Sequence, residues 1–197
     1  MSRIESRIDQ QLSFLTEADR LKSTLRATRL CDDSRCENTA EHSWHIALYA
    51  LILAEHANRE IDISRVIRML LIHDLVEIDA GDVPIHANHD QAAQREKEQR
   101  AADRIFGLLP ADQRDELRSL WQEFEQAESN DAVFAKSIDR VQPVISNLET
   151  NGGSWPQYNV TAEQLETRVG VKVRRGAPAI WHNLQTRINH WFSKNNH

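Results

Sequence analysis

The hydrophobic residues of this chain recur with the period of an α-helix along most of its length. In residues 6–27 the large aliphatic side chains return every three to four positions, which places them on one face of a helix. Six glycines and five prolines are few for 197 residues and favour long helices. The pattern predicts helices over residues 6–27, 39–58, 63–74, 90–106, 112–127, 131–150, 161–168 and 177–194.

The segments between these helices are polar and rich in turn-forming residues, so they predict loops. This applies to residues 31–39, where Thr39 would cap the next helix, and to residues 154–160. Residues 169–173 (VGVKV) form a short β-like run, which we also interpret as a loop. No segment predicts a sheet, and the expected fold class is an all-α helical bundle.

Two of the predicted helices carry more apolar surface than a typical surface helix. Residues 39–58 are apolar on nearly all sides, which favours a central, buried helix. Residues 177–194 carry one apolar face, which we expect to dock on the core. A contact between two copies of the chain, giving a homodimer, is the alternative. That face consists of Trp181, Leu184, Trp191 and Phe192.

Length, charge and cysteine content narrow the class of protein. A chain of 197 residues can bury a sizeable core within one domain. Its formal net charge of −6 argues against a general nucleic-acid surface. Cys31 and Cys36 fit reduced thiols of a cytosolic protein, and no apolar run has the length of a membrane span or of a signal-peptide core. We therefore expect a cytoplasmic protein that binds neither nucleic acid nor membrane.

His73 and Asp74 stand side by side at the end of the apolar run 66–72. Burying such a polar pair costs free energy unless a partner satisfies it. A divalent metal would do so, because neutral imidazole and ionised carboxylate are both good ligands. The alternative is a hydrogen-bonded pair at a helix end.

Further metal ligands would have to come from facing helices of the bundle. His42 opens the predicted helix at 39–58 on an apolar stripe, but His45 lies one turn on and competes with it. The position of His42 at the start of the helix favours it over His45, although spacing does not decide between the two. Asp139 lies four residues before Pro143, which deprives its carbonyl of a helical partner and favours a kink that could aim the carboxylate. Otherwise Asp139 would be an exposed acid paired with a neighbouring base.

Two acidic residues follow the His-Asp pair closely. Glu77 shares a helical face with His73 and Asp74 if the helix continues, and a carboxylate beside a metal site is a natural general base. Asp82 follows Gly81 in a turn and could reach back over the site.

These residues occur in four short motifs, AEHS at 40–43, HDLVE at 73–77, GD at 81–82 and KSID at 136–139. The ordered set resembles the HD-domain metal-dependent phosphohydrolase superfamily. It resembles in particular the 5′-deoxynucleotidase-like branch, of the HD-domain-containing protein 2 type. The resemblance implies a single HD domain over residues 1–197, with a core at about 12–150 and a C-terminal helical extension at about 161–194.

The resemblance also implies roles for individual residues. One divalent ion would be held by the two histidines and two aspartates given at the end of this paragraph. Glu77 would activate or orient the attacking water and Asp82 would help to position the substrate. Arg26 would bind the phosphate, whereas the sequence alone suggests only a solvated helix charge. The implied metal ligands are His42, His73, Asp74 and Asp139.

The implied activity is hydrolysis of the phosphomonoester of nucleoside 5′-monophosphates by in-line attack of metal-bound water. Two histidines and two carboxylates suit Mn, Co, Fe, Ni or Zn better than Mg or Ca. Lys136, one turn before Asp139, is a candidate for orienting the ligands. The alternatives are a phosphodiesterase, a hydrolase of pyrophosphorylated nucleotides, and a non-catalytic module that binds a metal or nucleotide.

The chain departs from the family pattern at two places. Ala27 stands where the well-studied nucleotidases of the branch carry a tryptophan near the sugar, which puts deoxyribose preference in doubt. His86 and His89 follow the GD motif and are similar to the additional histidines of dinuclear HD enzymes. A second metal there is the less favoured interpretation.

Overall fold

A computed structural model describes residues 6–195 of the chain, and these residues form a bundle of helices with one small sheet. The helices are α1 (Arg7–Ala18), α2 (Thr39–Leu53), α3 (Ile63–Ile72), α4 (Glu77–Ala80), α5 (Gln91–Phe106), α6 (Ala111–Gln126), α7 (Asn130–Glu149), α8 (Ala162–Leu165), α9 (Val171–Gly176) and α10 (Pro178–Asn195). Turns of 3₁₀ helix occupy Asp19–Ser23, Ala54–His56 and His73–Val76, and a π-helical turn occupies Glu166–Gly170. The all-α class is confirmed.

The prediction that the chain has no sheet is wrong. Strands β1 (Leu25–Arg29) and β2 (Cys36–Asn38) pair antiparallel, where a helix and a loop were expected. Leu25 continues the helical spacing of the preceding leucines, yet its side chain is 69% exposed and contributes little to a core face. Pairing with β2, which follows β1 after a connection of six residues, therefore overrides the local helical pattern, and the first helix ends at Ala18.

The prediction of a loop at residues 169–173 is also wrong, because the π-helical turn and α9 cover them. Val169 and Val173 lie one helical turn apart and both are buried. A Cβ on Gly170 would lie 2.6 Å from the ring of Trp181, so the glycine permits the close approach of α10. The β-like run is thus a helical segment whose valines pack into the core.

Helix α2 is buried on one face only, so the prediction of burial on all sides is wrong. Ile46 and Ala50 are fully buried, whereas Trp44, Leu51 and Ile52 are more than half exposed. The N-cap is Asn38 rather than Thr39, because the Asn38 side chain accepts a hydrogen bond from the backbone N–H of Glu41 in a capping box. This leaves the hydroxyl of Thr39 free to bind elsewhere.

The C-terminal helix α10 docks on the core, as expected from its apolar face. Trp181, Leu184, Trp191 and Phe192 are all buried, and Phe192 stacks on Trp155 at 5.3 Å between ring centroids. Within residues 6–195 no helix is long and apolar enough to cross a membrane.

The apolar core consists of two clusters. One surrounds α2, α3, α7 and the C-terminal helices, and the other surrounds α1, α5 and α6. Ile72 packs against both clusters, and the chain then enters the 3₁₀ turn His73–Val76. The predicted His-Asp pair therefore lies where the two clusters meet.

Candidate metal centre and substrate cavity

The 3₁₀ turn fixes the imidazole of His73. Its Nδ1 donates a hydrogen bond to the backbone carbonyl of Leu70 at 2.8 Å, while the backbone carbonyl of His73 accepts one from Nε1 of Trp121 at 3.1 Å. Because the Leu70 carbonyl can only accept, the proton of the neutral imidazole is on Nδ1, and Nε2 then carries a lone pair. That Nε2 is buried and makes no hydrogen bond.

The imidazole of His42 is held in the same way in the first turn of α2. It is fully buried, and its Nδ1 donates to the Oε1 of Gln142 at 3.0 Å. The amide nitrogen of Gln142 in turn donates to Glu37 and to Ser146, both at 3.1 Å. His42 therefore also presents a lone pair on Nε2.

The competing residue, His45, is on a different face of α2. Its ring stacks on Trp44 and meets the edge of Tyr49, with ring centroids 5.7 and 4.7 Å apart. The structure thus brings His42 towards the His-Asp pair and leaves His45 away from it.

Lone-pair atoms converge from three elements of the bundle. Oδ1 of Asp139 on α7 lies 3.1 Å from Nε2 of His42 and 3.7 Å from Nε2 of His73. Asp74 approaches to 2.9 Å from His73 and 3.9 Å from His42. Among residues 6–195, His42, His73 and Asp139 are the single group of three such side chains whose ligand atoms all lie within 4.8 Å of one another.

This arrangement requires a positive charge at its centre. Burial lowers the pKa of His73, but the Asp74 and Asp139 carboxylates outweigh burial and raise that pKa to about 10. Either a proton or a cation therefore has to separate these acceptors. A divalent cation fits best. Both histidines are already oriented to offer a neutral nitrogen as a metal ligand, and the carboxylates supply the negative charge.

Arg26 comes from β1 and points its guanidinium at the acidic side of this cluster. Its Nη1 lies 3.1 Å from Asp74, 3.4 Å from Asp82 and 3.7 Å from Glu77, and its Nε lies 3.3 Å from Glu37. The interpretation of Arg26 as a solvated helix charge is wrong, because strand pairing turns it inward and leaves its side chain only 12% exposed.

Glu77 and Asp82 both approach the same guanidinium. Thr39, freed from capping, donates its hydroxyl to Oε2 of Glu77 at 2.9 Å, so Oε1 faces Arg26. Burial and the nearby Asp74 carboxylate raise the pKa of Glu77 well above its usual value. Asp82 follows Gly81, whose φ of +75° turns the chain back over the site, and burial raises the pKa of Asp82 against the opposing effect of Arg26.

A cavity of about 260 Å³ opens beside this cluster. Ala27 and Pro143 line it, and α7 continues through Pro143 as one helix. The sequence did not indicate the opposite wall, which the C-terminal segment forms with Trp155, Tyr158, Leu165 and Val169. No periodicity marks these residues as cavity residues, because they come from three short elements.

Three further candidates are placed as follows. Lys136 pairs with Glu125 at 2.8 Å and lies over the ring of Phe124, so the prediction that it orients the ligands is wrong. Leu70 and Gln142 do so instead. His86 lines the cavity and His89 is exposed. Within residues 6–195 neither histidine belongs to a cluster of three potential metal ligands.

Gln142 is the site residue that sequence reasoning missed. A weak signal existed, because it lies three residues after Asp139 and hence on the same helical face. Only the structure shows that it reaches a histidine one hundred residues away.

Two relatives of this chain carry the name of a 5′-deoxynucleotidase. The human protein "5'-deoxynucleotidase HDDC2" is 29% identical over 139 residues, which cover 70% of this chain and 67% of that protein. The protein of the same name from Bos taurus is 31% identical over 114 residues, 57% of this chain and 54% of its own length. The match thus spans between about half and two thirds of these relatives.

A solved structure resembles this one over nearly its full length. It is the crystal structure of a "Predicted metal-dependent phosphohydrolase" from Magnetospirillum magnetotacticum, with 46% identity and a TM-score of 0.91, covering 97% of this chain and 95% of that one. The sequence model of the HD domain family matches residues 18–181. That match includes Arg26, the His-Asp pair and all other residues of the metal cluster, and the chain therefore belongs to the HD domain family.

Proposed function

We propose that this HD-family phosphohydrolase removes the phosphate from nucleoside 5′-monophosphates. The observation that carries the proposal is the convergence of oriented lone pairs on His42 and His73 with the carboxylate of Asp139, beside a buried arginine. The names of the human and bovine relatives, both 5′-deoxynucleotidases, support a nucleotide as the substrate.

His42, His73, Asp74 and Asp139 hold one divalent metal. Two imidazoles and two carboxylates suit Mn, Co, Fe, Ni or Zn. When bound, this ion lowers the pKa of the attacking water and withdraws charge from the phosphate.

Arg26 binds the phosphate oxygens. In the structure its charge is shared among four carboxylates, and an incoming phosphate would replace part of this ion pairing with charge-assisted hydrogen bonds. Asp82 holds the guanidinium from the side of the turn, so it positions the phosphate through Arg26.

Glu77 accepts the proton of the attacking water on Oε1. The hydrogen bond from Thr39 to Oε2 fixes the carboxylate, which keeps Oε1 directed into the site. Its raised pKa makes it a stronger base than a solvated glutamate, which favours proton uptake near neutral pH.

Ala27 leaves space where a tryptophan would crowd the sugar, so we expect hydrolysis of both ribo- and deoxyribonucleotides. We further infer that residues 1–197 work as one HD domain in the cytoplasm. The exposed apolar face of α2 (Trp44, Leu48, Leu51 and Ile52) is the surface through which two copies would form a homodimer.

Phosphate release tests the proposal. Protein loaded with Mn or Co is incubated with nucleoside 5′-monophosphates, cyclic nucleotides and pyrophosphorylated nucleotides, and inorganic phosphate is measured. We expect phosphate from the monophosphates and none from cyclic nucleotides. Glu77→Ala should retain its metal and lose at least 100-fold in rate. Hydrolysis of only the cyclic or pyrophosphorylated nucleotides would refute the proposal. Hydrolysis of no substrate would also refute it and would favour a module that binds a metal or nucleotide without turnover.

A further inference from the structure

A second cavity of about 440 Å³ adjoins the metal centre and carries the opposite charge. It is lined by elements α5, α6, α7 and α9. Six carboxylates and three basic side chains line the metal cavity, whereas five basic side chains face the second cavity against two carboxylates, those of Glu98 and Glu125. The basic side chains are Arg95, Lys136, Arg140, Lys172 and Arg175.

The two cavities share a wall. Six side chains line both of them, namely Val83, Ile85, Glu98, Glu125, Lys136 and Arg140. A ligand with one end at the metal centre could therefore extend into the second cavity without a change of fold.

Arg140 stands at this junction without a partner. It follows the metal-site residue Asp139 directly, and its Nε is buried with no hydrogen bond. Within residues 6–195 its guanidinium also has no carboxylate in ion-pair distance, whereas Arg7, Arg35 and Arg187 on the surface are each paired with one. Leaving a partly buried charge unpaired is costly, which indicates that an anion from outside the chain satisfies it.

Lys172 on α9 faces the same junction. Its ammonium group makes no hydrogen bond or ion pair with the described part of the chain, whereas Lys136 is neutralised by Glu125. Arg140 is the main reason why the pKa of Lys172 is lowered, and burial and Lys136 add to it. Two cations are thus held close together, and the carboxylates of Asp139 and Glu125 offset the effect of Arg140 on the Lys172 pKa only in part.

We propose that Arg140 and Lys172 bind a second phosphate group of the substrate while its 5′-phosphate is hydrolysed at the metal centre. The preferred substrate class is then a nucleoside bisphosphate, with phosphates on the 5′ and on the 2′ or 3′ position. The proposal rests on the proposed function and makes it more specific. Two charge-assisted contacts should raise kcat/KM for such a substrate at least tenfold over the matching 5′-monophosphate.

The test compares kcat/KM for a nucleoside 3′,5′- or 2′,5′-bisphosphate with kcat/KM for the 5′-monophosphate of the same nucleoside. For the wild-type protein, kcat/KM of one of the two bisphosphates should exceed that of the monophosphate at least tenfold. Lys172→Met should reduce this ratio about threefold, and Arg140→Met should reduce it further, towards one. The matched control is Lys97→Met, which removes one exposed lysine of α5 that lines neither cavity and should leave the ratio unchanged.

Calorimetry provides a second readout that does not need turnover. Glu77→Gln should bind the bisphosphate more tightly than the monophosphate, and adding Lys172→Met should remove most of that difference. If the monophosphate is hydrolysed and the ratio of the two kcat/KM values is near one, this inference is overturned while the proposed function stands. Equal effects of Lys172→Met and Lys97→Met on that ratio would have the same meaning. Absence of phosphate release from both substrates, together with equal binding of both, would overturn the proposed function as well.

Discussion

Replacing Gln142 by leucine tests whether the chain itself prepares His42 for a metal. Gln142 accepts the hydrogen bond of His42 Nδ1 at 3.0 Å and is 1% exposed. Leucine has a similar size but no acceptor, so Nδ1 loses its partner, and the groups that bind the Gln142 amide, Glu37 and Ser146, lose theirs.

The size of the effect follows from these contacts. A buried donor left without its acceptor costs about 1–3 kcal/mol, which corresponds to roughly 5- to 150-fold in an equilibrium constant. Glu37 Oε1 lies 3.3 Å from Nδ1 and can take over part of the bond. We therefore expect Gln142→Leu to weaken metal binding about 10- to 100-fold, the range found for residues that orient metal-binding histidines.

Competition between the protein and a chromophoric chelator measures this change. Ser146→Ala is the matched control, because it removes one contact of the Gln142 amide nitrogen but leaves the acceptor for His42, and its metal affinity should change less than threefold. A folded Gln142→Leu variant with wild-type metal affinity would refute the idea that Gln142 fixes His42.

Three further outcomes are expected. Gly170→Ala should destabilise the fold by about 1–3 kcal/mol in urea unfolding, because its Cβ would meet the Trp181 ring. An unchanged midpoint would contradict the packing of the π-helical turn against α10. Gly81→Ala should lower the free energy of unfolding by about 1 kcal/mol because of its φ of +75° alone, since no atom lies within 4 Å of the new Cβ. A loss as large as that caused by a core cavity would contradict the open space around this turn. Removing the metal with a chelator should lower the melting temperature, and adding it back should restore it, because the ion binds the folded state only. A melting temperature that changes under neither treatment would show that no metal binds.

The helical class and the metal cluster could be predicted because both leave local marks in the sequence. Helical periodicity repeats within each segment, and a polar pair inside an apolar run, such as His73-Asp74, is conspicuous wherever it is buried. The spacing of the residues did not separate His42 from His45. The resemblance to the HD family pointed to His42, and the structure places His42 at the cluster.

The features that the sequence did not reveal depend on contacts between distant segments. Strand β1 forms only because β2 pairs with it, and the outer face of α2 is exposed because no described element covers it. Gln142 and Lys136 are both polar residues of α7 close to Asp139. Which of them reaches His42 depends on how α2 crosses α7, and this crossing has no local signature.

The central claim is that one metal ion in this cluster supports phosphomonoester hydrolysis. A titration of metal-free protein with Mn or Co, followed by phosphate release from a nucleoside 5′-monophosphate, tests it most directly. We expect no activity without metal and a rate that rises until one ion is bound per chain. Full activity in metal-free protein, or a rate that stays at zero when one ion per chain is bound, would contradict it.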